Sequence, residues 1–245
     1  MTASRRRART IACVVVLAGV LAAAGILIGV GDRSVGPDAV LAVLAEQAAP
    51  AGATVAPAPA PGRDPAGPPR ASAAWVDATA AATGIPAVAV AAYGDAALRL
   101  QQEQPACHLG WSTLAGIGTV ESANGTTGGR MLRADGRSST PISGPVLDGT
   151  GGNQAIPDAG GGWTTARGPM QFIPSTWAQW GADGDGDGHR DVDDIFDAAL
   201  AAGRYLCADG HDLASAQGWA DAIFSYNHSA EYVQQVYAAA VAAGG

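Results

Sequence analysis

From Leu109 to Gly125 the chain reads LGWSTLAGIGTVESANG, and its large apolar residues fall at Trp111, Leu114, Ile117 and Val120. That spacing is close to the 3.6-residue repeat of a helix with one buried stripe. Asn124-Gly125 supplies a stop signal. The same reasoning predicts a helix capped by Ser72, running to Ala82 and ended by Gly84. Pro86 suits the first turn of a second helix over roughly 87–102. Further helices are expected over 175–180, with Ser175 as N-cap and Gly181 as stop, and over about 194–208, 218–227 and 229–242. Between 124 and 167 the apolar period disappears. This stretch is rich in Gly, Ser and Thr, with a small hairpin expected around Ala134-Asp135-Gly136. A loop of that length inside a compact domain is uncommon and usually functional or mobile. The pattern is that of a mainly α domain with a glycine-rich insertion.

The chain ahead of this domain reads differently. Residues 1–10 hold Arg5, Arg6, Arg7 and Arg9, and residues 11–30 carry no charge. Twenty helical residues span about 30 Å, the hydrocarbon thickness of a bilayer. The end of the run, IGVGDRS, is a poor cleavage site, so a single-pass anchor is favoured over a cleaved signal peptide. The positive-inside rule keeps the arginines cytoplasmic and sends the remainder across. Residues 31–70 form a linker. It has a short helical run at 38–47 and then a Pro/Ala/Gly stretch that cannot bury a core. The folded domain is expected over 71–245, outside the cytoplasm, at the cell membrane or secreted if the apolar run is removed.

Charge narrows the partners. The net charge is −8 and every cation is an arginine. Beyond residue 30 there are ten arginines against twenty-two acids, a net −12. Nucleic acid, which needs clustered positive charge, is not an expected partner. Cys13 lies at the start of the apolar run, a poor place for a lipoprotein signal. Cys107 and Cys207 remain, and in an oxidising compartment an isolated pair is most simply a disulfide. Metal ligation is the weaker reading, because neither has a second Cys or His at ligand spacing.

Four stretches carry candidate chemistry. Glu121 stands near the C-terminal end of the 109–122 helix, where apolar neighbours and the negative end of the helix dipole both favour the protonated form, as a general acid requires. The acidic stretch 183–194, DGDGDGHRDVDD, fits the twelve-residue EF-hand loop. Asp183, Asp185 and Asp187 take positions 1, 3 and 5, with Gly188 at 6. His189 offers its carbonyl at 7, Asp191 falls at 9 and Asp194 at 12. Asp at 12, where Glu is usual, predicts weaker or altered affinity for a structural Ca2+. In RGPMQFIPSTW, residues 167–177, Gln171 stands between the apolar Met170 and Phe172 and is suited to hydrogen-bonding a sugar hydroxyl or amide. In AIFSYNHSAEY, residues 222–232, Tyr226 and Asn227 place a phenol and an amide at a helix junction.

TVES at 119–122, GPMQFIPSTW at 168–177, the Asp-rich loop and AIFSYNHSAEYV at 222–233 occur in the order seen in lytic murein transglycosylases. The chain resembles their membrane-bound type B branch, particularly its actinobacterial members, over about residues 71–242. The resemblance implies a lysozyme-like (goose-type, SLT) α-helical fold. It implies cleavage of the β-1,4 bond between N-acetylmuramic acid and N-acetylglucosamine in peptidoglycan, with a 1,6-anhydro product in place of hydrolysis. By the same resemblance Glu121 is the acid/base, Met170 and Gln171 line the sugar groove, and Tyr226 and Asn227 hold the glycan near the cleaved bond. Ser122, beside the acid, is a lesser candidate. The alternatives are a lysozyme-type hydrolase and a non-catalytic, calcium-stabilised wall-binding module. The insertion departs from the family pattern, and a wall or lid over the glycan is one expectation for it.

Overall fold

The computed structural model describes residues 47–50, 54–58, 68–151 and 154–244. The expected basic segment, apolar span and, apart from Gln47, the 38–47 helix lie outside the described residues. Among the described residues no helix is long and apolar enough to cross a membrane. Seven α-helices and one two-stranded sheet make up the regular structure of the described residues, the mainly α architecture expected.

Helix α1, Ala73–Thr83, begins where Ser72 Oγ accepts from the Trp75 amide and ends on Gly84 in the left-handed region, φ 73°. Helix α2, Ala87–Glu103, follows Pro86 and buries Tyr93, Leu98 and Leu100. Its buried Asp95 is held by the Ala71 amide and by Arg70 at 2.8 Å. Two stretches of the proline-rich segment lie against the domain. Pro57 bridges Ala71, Val55 is buried, and Tyr237 Oη donates to the Ala48 carbonyl. Cys107 and Cys207 are bonded, with Cα atoms 5.4 Å apart and a sequence separation of 100. A cross-link closing a loop of that size is worth up to about 4.7 kcal/mol in the chain-entropy model.

Helix α3, Trp111–Ser122, is the centre of the molecule. The expected stripe is buried, but so are Ser112, Thr113, Ala115, Gly116 and Gly118, so the helix is enclosed on nearly every side. Small residues make this possible. A Cβ on Gly116 would sit 2.7 Å from the Val236 carbonyl of α7, Ala230–Gly244, and one on Gly118 would collide with Tyr93 Oη. The buried Thr113 Oγ1 accepts from Trp219 Nε1 at 3.0 Å, whereas Trp111 Nε1 is buried without a hydrogen-bond partner. The helix ends at Ser122, as expected, and starts at Trp111, two residues after the expected Leu109. Ala123, Asn124 and Gly125 are all left-handed, and the Ala123 and Asn124 amides close onto the Thr119 and Gly118 carbonyls. Asn124 fixes this turn from inside, accepting from Tyr93 Oη at 2.9 Å and donating to Thr119 Oγ1 at 3.1 Å.

The insertion has little regular structure but is anchored. Around Ala134-Asp135-Gly136 the expected turn is closed by Arg133 and Arg137 backbone bonds and a Leu132–Ser138 bridge. Strands β1, Ser143–Val146, and β2, Thr165–Arg167, pair antiparallel with an irregular register. Leu147, Ala166 and Ile173 form a small second core beneath them. Helix α4, Pro174–Trp180, then α5, Ile195–Leu206, and α6, Ala216–Tyr226, complete the domain with α7. Ser175 is not the α4 cap. Ile173 holds that position without a side-chain cap bond, because Pro174 starts the helix and has no amide hydrogen needing one.

Candidate active site

Glu121 is the penultimate residue of α3. Part of the residue reaches the surface, but Oε2 is shielded from solvent and has no hydrogen-bond partner. Oε1 accepts from Tyr232 Oη at 2.7 Å. Burial raises the carboxyl pKa from its ordinary 4.5 to about 8, against a smaller lowering by the Tyr232 bond. The largest cause is desolvation, as the apolar surroundings predict. A group that is protonated at neutral pH, with one oxygen anchored and the other unoccupied, is equipped to give up a proton to something that enters.

Tyr232 lies on α7 and stacks on Tyr226, the last residue of α6, with ring centroids 6.4 Å apart and planes 3° from parallel. Tyr226 Oη donates to the Met170 carbonyl at 2.8 Å. Ser122 Oγ, next to Glu121, donates to the Pro169 carbonyl at 2.6 Å and accepts from the Gly125 amide at 2.8 Å. Two helices therefore grip the 168–172 turn, which is also closed by paired backbone bonds between Arg167 and Phe172. At its tip Gln171 is left-handed, φ 51°, an unusual and strained conformation for a non-glycine residue. Its Nε2 donates to the Gly168 carbonyl, and Oε1 lies where a Cβ on Gly144 of β1 would be 2.6 Å away. The insertion thus stands directly against Gln171 as a wall.

Gln171 and Tyr226 line a pocket of about 200 Å3 together with Phe172, Thr176, Trp180 and Tyr205. Aromatic faces mixed with neutral amides and hydroxyls suit an uncharged polar ligand such as a sugar. A larger cavity, about 540 Å3, opens beside Trp111 at the other end of α3. At 1.5 Å per residue that is about 15 Å from Glu121, so size is not the guide to the chemistry here.

The remaining site residues face inward. Met170 is fully buried in the main core, so its side chain supports the turn and only its carbonyl is engaged by Tyr226. Ser122 is buried and already committed in both directions, which makes it a brace for the turn. Asn227 is buried at the α6 C-cap, where its carbonyl accepts from the Ser229 amide.

In the acidic loop, oxygens of Asp183, Asp185 and Asp187 lie within 4.8 Å of one another, as positions 1, 3 and 5 of a cation loop require. Asp191 and Asp194 stand outside that cluster. Asp191 accepts two bonds from the Arg137 guanidinium, and Asp194 caps α5 by accepting from the Phe196 amide. Burial and the neighbouring Asp197 and Asp185 charges push Asp194 up to about 6. His189 is exposed, its amide bonded to Asp187. Mutual repulsion among the acids is relieved without a cation on one side of the loop: Arg137 meets Asp191 and Asp194, and Arg167 meets Asp193. On the other, Arg70 and Arg99 donate to the Asp185 and Asp183 carbonyls. The first half of the loop fits a hard cation; the second half is built into the domain.

Three residues escaped the sequence reading. Tyr232 sits 111 positions beyond Glu121 and reads as an ordinary apolar-face residue of α7. Arg137 lies in the insertion, where no period exists to orient it. Asp197, buried three residues past the loop, accepts from the Gly184 and Asp191 amides at 2.7 Å each and so ties the loop's two ends together. Its signal was an acid in the first turn of a helix, which alone suggests only a dipole partner.

Residues 150–221 match the family model described as a transglycosylase SLT domain, 72 of the 245 residues. The match takes in the Gln171 turn, the acidic loop and the start of α6, and leaves Glu121 and Tyr232 outside it. It supports, at the level of the domain family, an enzyme of the lytic transglycosylase kind acting on peptidoglycan. No curated protein and no solved structure matches the chain.

Proposed function

We propose that this chain is a peptidoglycan lytic transglycosylase of the membrane-bound type B kind, anchored by its N-terminal apolar segment and working outside the cytoplasm. It cleaves the β-1,4 bond between N-acetylmuramic acid and N-acetylglucosamine with Glu121 as the single acid/base. The observation that carries this reading is the shielded, partnerless Oε2 of a carboxyl whose pKa is raised to about 8.

Burial raises this pKa and the Tyr232 bond opposes the rise, so the acid stands on its own side chain's environment. Most glycoside hydrolases use two carboxylates, so a lone acid favours a substrate-assisted route. Glu121 gives its proton to the glycosidic oxygen as the C1–O bond breaks. The substrate's own acetamido oxygen supports the positive charge at C1. The Glu121 carboxylate then takes the proton from the O6 hydroxyl as O6 bonds to C1, which closes the 1,6-anhydro ring. Tyr232, donating to Oε1, keeps the reactive oxygen oriented, and the stacked Tyr226 extends that support toward the Gln171 pocket. Gln171 and Tyr226 then bind the glycan, with the insertion as one wall.

Asp183, Asp185 and Asp187 would hold a structural Ca2+, which supplies only charge balance and stiffness to the loop. Glu121→Gln tests the catalytic assignment: purified peptidoglycan stays turbid with this variant and clears with the parent. Equal clearing by both would remove Glu121 from the reaction.

A further inference from the structure

The three residues that follow α3 are left-handed in succession, Ala123 at φ 51°, Asn124 at 57° and Gly125 at 84°. Residues other than glycine enter that region singly, so two together mark a turn that its surroundings impose. The turn folds back onto the end of α3, where the Ala123 amide meets the Thr119 carbonyl at 3.0 Å and the Asn124 amide meets the Gly118 carbonyl at 2.8 Å. Glu121 lies inside this last helical turn. Helix ends fray first. Fraying here would carry Glu121 off the Tyr232 hydroxyl and admit water to Oε2.

The Asn124 side chain, 6% exposed, is held from both sides. It accepts from Tyr93 Oη at 2.9 Å and donates to Thr119 Oγ1 at 3.1 Å. Tyr93 reaches in from α2, is fully enclosed and has no part in the chemistry of Glu121 described above. Gly118 leaves the space for its hydroxyl, which a Cβ at that position would strike. On the far side of the turn, Ser122 Oγ accepts from the Gly125 amide at 2.8 Å and donates to the Pro169 carbonyl at 2.6 Å. One turn therefore fixes the end of α3 and its register against the Gln171 segment. Backbone shape alone would be met by glycine at 124. Asparagine adds an acceptor for Tyr93 and a donor for Thr119.

We propose that Tyr93 and Asn124 are positioning residues for the reaction, a buried clamp that holds the last turn of α3 so that Glu121 stays registered against Tyr232 and the Gln171 segment. The assignment rests on Glu121 being the acid/base. The clamp acts through the backbone of α3 and touches no substrate.

The test compares Tyr93→Phe, Asn124→Gly and the double variant in the full chain, on soluble peptidoglycan strands below the onset of melting. Each single change lowers kcat about ten- to a hundredfold with KM unchanged, the loss expected when a reacting group shifts by about 1 Å. Water admitted to Glu121 also moves the alkaline limb of kcat/KM to lower pH, because desolvation is what raises this carboxyl. The double variant separates positioning from stability. Each single change leaves one buried polar group without its partner, whereas the double removes both, so its melting temperature is no lower than that of either single variant. Its kcat nevertheless stays low. Parent kcat in Asn124→Gly, or a kcat that recovers with the melting temperature in the double variant, overturns the clamp while leaving Glu121 in place. Cleavage by Glu121→Gln at the parent rate overturns the catalytic reading and the clamp with it.

Discussion

At the end of α3 one carboxyl stands apart from other charges, whereas from Asp183 to Asp197 seven acidic side chains fall within fifteen residues. Glu121 has one hydroxyl partner, no cation and a raised pKa, so at neutral pH it keeps its proton. In the loop, backbone amides and arginines hold several of the acids ionised: Asp183 and Asp191 titrate below the ordinary carboxylate range through Gly186, Gly188, Asp193 and Arg137 contacts, despite opposing burial. The loop also holds acids pushed the other way, since burial and the neighbouring Asp197 and Asp185 charges raise Asp194 to about 6. Acidity here therefore follows burial and the partners supplied together with the density of acids. Dense carboxylates with partners give a rigid charged loop; a lone one without a cation gives a proton donor.

The largest effect expected from breaking this contrast is loss of the proton donor. Glu121→Gln should lower turnover by about 10²–10⁴-fold, the range for a general acid. The same change affects stability with a definite sign. The folded pKa is about 8 against an ordinary 4.5, so the unfolded chain loses this proton first and the native state loses stability as pH rises from 4.5 through 8. Gln carries no such dependence. The variant should therefore melt higher than the parent at pH 8, by an amount equivalent to a few kcal/mol at most, and the two should coincide near pH 4. Thermal melts at the two pH values check this.

Tyr232→Phe comes next. Removing the bond to Oε1 takes away the one influence that lowers the Glu121 pKa, so the alkaline limb of the rate profile should move to higher pH. Turnover should fall about tenfold as the carboxyl loses its orientation. A drop in turnover with an unmoved limb would show that Tyr232 serves packing alone.

On the other side of the comparison, Arg137→Ala should cost about 1–3 kcal/mol, because it strands the buried Asp194 and the half-buried Asp191. Denaturant melts measure it. The smallest effect is that of the cation. Calcium should raise the melting temperature by several degrees over chelator, through Asp183, Asp185 and Asp187, and the gain should vanish in Asp183→Asn. Identical melts would reduce the loop to its arginine and amide contacts.

Much of the frame was legible because local chemistry determines it. Ser72 and Gly84 bound α1 through their own side chain and dihedral, and Cys107 and Cys207 are the only cysteines of the domain. The order of Glu121, Gln171 and Tyr226 was legible too, as was the apolar setting that protonates Glu121. Inward and outward orientation was not. Met170 and Ser122 flank site residues in sequence, yet the left-handed Gln171 and the grip of Ser122 on Pro169 turn them into the interior. Tyr232 and Arg137 act across long separations, where periodicity specifies a face but not the neighbour opposite. Within the insertion, contacts such as Gly144 against Gln171 depend on tertiary packing that no repeat encodes.

Mass analysis of the products released from purified peptidoglycan tests the central claim most directly. With the parent, muropeptides should end in 1,6-anhydro-N-acetylmuramic acid, one water lighter than hydrolytic products, and Glu121→Gln should release none. Reducing ends from the parent, or anhydro ends undiminished by the substitution, would contradict the assignment of Glu121 as the single acid/base of a lytic reaction.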